Sequence, residues 1–264
     1  MNKSIAVYDI ETPFITAEGV SAIDIIYCMA VTLIINDVQQ PTKIFTQYWT
    51  PYSDGSIAAG INLINTADIR CAHNGIGFDD IVLTNVYGID LLPIPYDTLI
   101  LSKIVFSKDE LIAIDAELGL DKSLWGSYAL KAFGKRLNND KIEFEAFDTG
   151  LTEEMCIYCK QDTELTAQLI QFLMAKENFP IPAVIDIEHK AAAIIAEQTE
   201  MGFYLDIDKA RALNTKLLQE KLTIANQLSE VFFPKFLQDG PVKEYTKQST
   251  FKRYLPNPGY RPVW

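Results

Sequence analysis

Histidine is nearly missing from this chain of 264 residues. Only His73 and His189 occur, and cysteine is limited to four positions. With no second cysteine pair and two isolated histidines, the C-x-x-C spacing of Cys156 and Cys159 does not make a structural zinc site. The pair sits in a helix-like segment and reads as two inert thiols, while Cys28 and Cys71 lie in apolar strand-like runs and read as buried ones. Long apolar runs are absent as well: nothing approaches the ~20 uncharged residues of a membrane span. The start, Met1–Ile5, leads straight into a strand-like segment without a secretory or transit signature, so the expectation is a cytoplasmic protein with no membrane partner. Basic charge is scarce too. Lys and Arg total 23 against 35 Asp and Glu, a net charge of −12. Gripping nucleic acid by counterion release needs a basic surface, and that mode is excluded here. If nucleic acid is the substrate, a partner delivers it and its end is held through cations bound to acids.

What the chain does have is strands first and helices interleaved afterwards. Residues 4–9, 24–35 and 43–49 read as an antiparallel meander, followed by a short helix over 56–65 and a strand at 69–72. Helices are expected from Asp79 to Tyr87, stopped by Gly88, from Leu99 to Phe106 and from Ser127 to Leu137, with 107–124 as loop. The strongest helix runs from Thr152, a plausible N-cap, to Ala175, with Glu153 and Glu154 in its first turn. This order indicates an α/β domain with a mixed sheet and flanking helices over residues 1–180. The Asn178–Pro182 stretch breaks the pattern, and a second, helical segment is expected over 183–264. Its first helix, about 183–201, ends at Gly202. Its second starts after Asp206 and runs to Phe233, with Ala210, Leu213, Leu217, Ile224, Leu228 and Val231 forming one apolar stripe. The last thirty residues are polar and turn-rich.

Three places carry acids that local structure does not require. Asp9-Ile10-Glu11 ends the first strand, where the period of two puts both carboxylates on one face, about 7 Å apart at the backbone. Two acids so placed repel each other unless a cation lies between them. His73-Asn74-Gly75-Ile76-Gly77-Phe78-Asp79-Asp80 is a strand end, a turn and a helix start at an acid. Tyr158 and Asp162 lie four apart on the long helix, on the face that carries Leu165 and Leu169, so both point inward. Singly, each has an ordinary structural explanation: a solvated turn, an N-cap, a core hydrogen bond.

Together, in this order, they resemble the D-x-E, N-x-x-x-[FY]-D and Y-x-x-x-D motifs of DEDD-superfamily 3′→5′ exonucleases. Tyr158 marks the tyrosine branch, since the histidine branch would need His where Ile157 stands. The resemblance is closer still to the proofreading domain of phage family A DNA polymerases. Asp97-Thr98-Leu99, the run Gly126–Gly134, Ile187–Ala192 and Gly202-Phe203 carry it, over about the first 235 residues.

That resemblance implies a ribonuclease-H-like fold, with the two long helices similar to the start of a polymerase thumb. It implies two divalent cations, Mg²⁺ or Mn²⁺, that lower the pKa of the attacking water and stabilise the leaving oxygen. Asp9, Glu11 and Asp162 would hold one ion, and Asp9 with Asp79 the other; Asp79 is preferred to Asp80 because it directly follows Phe78. Tyr158, a phenol with an ordinary pKa near ~10, would orient the water rather than take its proton. Thr12 and Asn74 would hold the terminal nucleotide, with Phe78 or the neighbours of Ile10 against its base. The implied substrate is a single-stranded DNA 3′ end, and the implied partner is the rest of the polymerase, covalent or in trans, in the host cytoplasm. Palm and fingers motifs are missing, so no nucleotide incorporation is expected from this chain alone, and DNA binding by itself should be weak. An RNA-processing exonuclease of the same superfamily and a non-catalytic docking subunit of a replication complex are the competing readings.

Overall fold

The computed structural model describes residues 3–14, 19–88, 91–140, 142, 144, 150–231, 235–238 and 260–263. In chain order the first strands are β1 (Ile5–Glu11), β2 (Cys28–Ile35), β3 (Val38–Gln39), β4 (Lys43–Thr46), β5 (Gly55–Ser56), β6 (Ile69–Ala72) and β7 (Ile94–Asp97). The helices are α1 (Ile57–Ile64), α2 (Asp79–Tyr87), α3 (Thr98–Val105), α4 (Lys108–Glu117), α5 (Leu130–Arg136), α6 (Glu153–Met174), α7 (Pro182–Met201) and α8 (Ile207–Val231). Among the described residues the seven strands form one sheet in the order β5-β4-β2-β1-β6-β7, with β3 added to β2. The β1–β2 and β2–β4 pairs are antiparallel, while β6 and β7 run parallel to β1. This mixed sheet flanked by helices, with a long C-terminal helix, is compatible with a ribonuclease-H-like fold.

β1 is central, which explains its sequence. A strand covered on both faces reads as a continuous apolar run, and Ile5-Ala6-Val7-Tyr8 is buried throughout. Ile5 and Val7 pack under α6, against Leu165, Leu169 and Leu173, with Leu101 of α3 and Phe133 of α5. Ala6, Tyr8 and Ile10 pack on the other side, against Ile57, Ile61 and Ile64 of α1 and Val82 and Leu83 of α2. Only at Asp9 and Glu11 does the α6-facing side of the strand become acidic.

The helix ends obey local chemistry. Thr152 caps α6 by accepting from Met155 N, and Gly88 ends α2 with φ +60°. The stretch 107–124, expected as loop, instead contains α4. Ser107 and Glu110 form a capping box there, each side chain bonding the other's backbone N–H. The reason it escapes a search for helical periodicity is that α4 buries only Leu111 and Asp115. Expectations for other ends shift by a few residues; β2, for example, starts at Cys28 rather than at residue 24.

Asp115 lies at the bottom of that region. It takes a bidentate pair from Arg136, 2.7 Å and 2.8 Å, and a third hydrogen bond from Gly126 N at 2.8 Å. Burial alone would push this carboxyl up. The bonds from Arg136 and Gly126, with the guanidinium charge, hold it below the ordinary aspartate range.

The chain forms two compact units, residues 1–202 and 203–264, so α7 belongs with the sheet domain. In the second unit α8 carries the apolar stripe, and β8 (Lys235–Gln238) pairs antiparallel with β9 (Tyr260–Val263), an element the turn-rich tail did not announce. The expected end of α8 at Phe233 and the remainder of the tail lie outside the described residues. Among the described residues no helix is long and apolar enough to cross a membrane.

Candidate active site

The last residues of β1 set the position of the acids. Asp9 pairs in register with Ala30 of β2, and Glu11 with Cys28. Both β2 residues sit in a small core with Met155, Cys156 and Cys159, so the N-terminal half of α6 lies over the two acids. Carboxylate oxygens of Asp9 and Glu11 and Sγ of Cys159 all lie within 4.8 Å of one another. Glu11 is buried and Asp9 partly exposed, so the group opens toward solvent on one side.

Next to Cys159 on α6 is Tyr158, half-buried, and about one turn further on is Asp162, buried. The Tyr158 phenol is pushed well up by burial, by the charges of Asp162, Glu11 and Asp9, and by its hydrogen bond with Asp162. Cys159 is pushed up in the same direction by burial first, then by Asp9, Glu11 and Asp162. Two separate side chains thus feel the same three carboxylates. The ring of Tyr158 is tilted on Phe144 at a centroid distance of 5.6 Å.

Asp79 approaches from the opposite side of the sheet. It is the first residue of α2, 3% exposed, and its Oδ1 accepts a hydrogen bond from Ile10 N at 3.2 Å. Burial raises its pKa well above the aspartate range, and Asp9 and Asp80 raise it further. Its neighbour Asp80 has a different environment: Oδ2 pairs with the Arg70 guanidinium at 3.0 Å and Oδ1 accepts from the Tyr8 hydroxyl. Arg70 is held in turn by the carbonyls of Leu91 and Pro93. Of the two consecutive aspartates, Asp79 bonds the backbone of β1 and feels the charge of Asp9, while Asp80 is matched by an arginine.

The turn before Asp79 is tight. A Cβ at Gly75 would come within 2.6 Å of Ala72 Cβ, and one at Gly77 within 2.8 Å of Asn74 Oδ1. Asn74 itself is exposed and left-handed, with φ +66°. Thr12 is buried, and its hydroxyl donates to the carbonyl of Pro13 at 3.0 Å.

Asp97 helps carry the resemblance in the sequence, but the sequence assigned it no role at the site. This residue, 2% exposed, accepts from Asn74 N, Ile76 N and Leu99 N at 3.0, 3.2 and 2.9 Å. The Asp97-Thr98-Leu99 run is a recognisable N-cap signature for α3, but its bonds to the turn join positions more than twenty residues apart.

The donor set suits a hard divalent cation. Asp9 and Glu11 offer carboxylate oxygens at one point, with Asp79 and Asp162 nearby, and a cation there would offset both the burial and the like charge that raise Asp79. Cys159 does not compete as a soft ligand, because its thiol is kept protonated and donates to the carbonyl of Asp9 at 3.4 Å.

Fold and site together define an α/β domain whose acids gather at the end of the central strand. No protein-family model matches the chain. The sequence is similar to the DNA-directed DNA polymerase of Escherichia phage T7, 28% identical over 207 residues, and to that of Enterobacteria phage T3, 27% identical over 207 residues. Each match covers 61% of this chain and 29% of the polymerase, so the chain corresponds to less than a third of those relatives.

Proposed function

We propose that this chain is a metal-dependent 3′→5′ DNA exonuclease of the tyrosine-type DEDD kind, the proofreading part of a phage family A DNA polymerase. Residues 1–180 make up the exonuclease domain, and 183–264 is the helical segment resembling the start of a thumb, its first helix, α7, packing with the sheet domain. The observation that carries this reading is the grouping at the end of β1: Asp9 and Glu11 share a 4.8 Å cluster, Asp79 bonds the backbone between them, and Tyr158 with Asp162 borders it. Similarity to two phage DNA-directed DNA polymerases supports the polymerase context.

In this reading Asp9, Glu11 and Asp162 hold one Mg²⁺ or Mn²⁺ ion, and Asp9 and Asp79 the second. Bound there, the ions supply Lewis-acid stabilisation of the scissile phosphate and activation of water. Tyr158 keeps its proton, because burial and three neighbouring carboxylates disfavour phenolate. It therefore orients the attacking water by a hydrogen bond and takes no proton from it. Asn74, exposed ahead of Asp79, and Thr12, next to Glu11, hold the terminal nucleotide. An acidic protein has little affinity of its own for DNA, and a frayed single-stranded 3′ end delivered by the polymerase portion, covalent or in trans, resolves that conflict.

The test is incubation of the purified chain with a 5′-labelled single-stranded oligonucleotide and Mn²⁺. Stepwise shortening that stops on chelation is expected, with DNA degraded faster than matched RNA and no extension of a primer when nucleotides are added. An intact oligonucleotide overturns the nuclease reading, and faster loss of RNA overturns the DNA assignment.

A further inference from the structure

The turn that brings Asp79 to β1 is not capped from within. Neither Asn74, at its start, nor Phe78, which precedes α2, contributes a side-chain cap to the helical turn that follows it. Two N–H groups of the turn, those of Asn74 and Ile76, are instead taken by the two oxygens of Asp97, at the end of β7. The same carboxylate caps α3 through Leu99 N. Three N–H donors on one buried carboxylate fix its plane, and hence the turn.

Asp97 is anchored in its own right. Among the described residues β7 is the last strand on its side of the sheet, and an edge strand leaves N–H groups without a ladder partner. The Asp97 N–H is met by Nε2 of His189 at 2.7 Å. On the other side of the ring, Nδ1 lies 2.8 Å from the carbonyl of Ile185. Only one tautomer satisfies both contacts: Nδ1 carries the hydrogen and donates to Ile185, and Nε2 accepts. His189 is 3% exposed, with Tyr96 tilted beside it at 6.3 Å, and α7 packs directly against the Asn74–Gly77 turn.

We propose that Asp97 and His189 are positioning residues for Asp79, a relay running from α7 through the end of β7 to the turn that aims the Asp79 carboxylate. The proposal rests on the exonuclease reading, because it assigns Asp79 a cation to hold. Both oxygens of Asp97 and both ring nitrogens of His189 are already hydrogen-bonded to protein, so neither residue would hold that cation itself. Groups that orient metal ligands from behind contribute about 10–100-fold to metal affinity when they are lost. The effect belongs in the affinity for the ion, with the rate at saturating ion preserved.

The experiment measures Mn²⁺ binding to the full chain by loss of the free-ion electron paramagnetic resonance signal, alongside oligonucleotide cleavage as a function of Mn²⁺. His189→Ala should raise the Mn²⁺ dissociation constant about 10-fold or more, while the rate at saturating Mn²⁺ stays near that of the parent. His189→Gln, whose side-chain oxygen can accept the Asp97 N–H, should restore the affinity. A folded His189→Ala protein with parental Mn²⁺ affinity overturns the proposal, and so does a His189→Gln protein no better than the alanine variant. If His189→Ala does not fold, Asp97→Asn is read in the same way; failure of both to fold also overturns it, since the residues would then be structural. A parental chain that binds no Mn²⁺ defeats the reading of the site itself. One that binds and cleaves, matched by His189→Ala, defeats only the relay.

Discussion

Asp115 and Asp79 are both buried aspartates at or near helix ends, and their surroundings are opposite. Asp115 is answered by a bidentate guanidinium and a backbone N–H, which hold its pKa below the usual range. Among the described residues Asp79 has no cation beside it: burial pushes its pKa up, and the charges of Asp9 and Asp80 push it further the same way. The first arrangement lowers the energy of the folded chain as it stands. The second raises it, and such an arrangement makes sense at a place where a cation is held. Burial by itself therefore says nothing about whether an acid is structural or chemical; the sign of its neighbours does.

The comparison can be broken most severely at Asp9. Asp9→Ala should reduce cleavage of a labelled oligonucleotide by about 10³-fold or more, roughly 4 kcal/mol of barrier, with an unchanged urea midpoint in metal-free buffer. Retained cleavage would remove the reason for treating the β1 acids as a site. Asp115→Ala should do the converse. It leaves Arg136 buried without its carboxylate and should cost about 3–5 kcal/mol in urea unfolding, with cleavage per folded molecule unchanged.

The sign of the pH dependence follows from the lowered pKa. Asp115 contributes stability that is present above the unfolded aspartate value, about 3.9, and lost as pH falls through its depressed folded value. The stability gap between the parent and Asp115→Asn should therefore narrow on acidification below about pH 4. A gap that widened there would contradict the ion pair.

A sharper version uses consecutive residues. Asp79→Asn should raise the melting temperature of the metal-free protein while depressing cleavage. Asp80→Asn should keep cleavage but lower stability by about 1–3 kcal/mol, because Arg70 loses its charged acceptor. Cleavage lost in Asp80→Asn and kept in Asp79→Asn would exchange their roles. The smallest effect is expected at Tyr158→Phe, about 10-fold in rate with Mn²⁺ affinity intact, the size of one hydrogen bond near 1.4 kcal/mol. A change in Mn²⁺ affinity instead would make the phenol part of the ion site.

Some of this was readable in the chain and some was not, for identifiable reasons. The central strand and the common face of Asp9 and Glu11 follow from a period of two, and the ends at Thr152 and Gly88 from the capping chemistry of those residue types, all of which a sequence displays directly. α4 was missed although Ser107 and Glu110 spell its capping box, because it shows almost no apolar periodicity. Nothing in the local sequence ties Asp97 to Asn74 or to His189, the latter 92 residues away.

What the sequence by itself determined is the set of local choices: which segments extend or coil, where each ends, and which acids share a face. Tertiary structure alone decided that Asp79 meets the end of β1 while Asp80 meets Arg70, and that one buried carboxylate supports the turn before them. The physical reason is range. Backbone preference acts over a few residues, whereas the charge, burial and hydrogen bonding that separate a structural acid from a chemical one come from residues brought near only by folding.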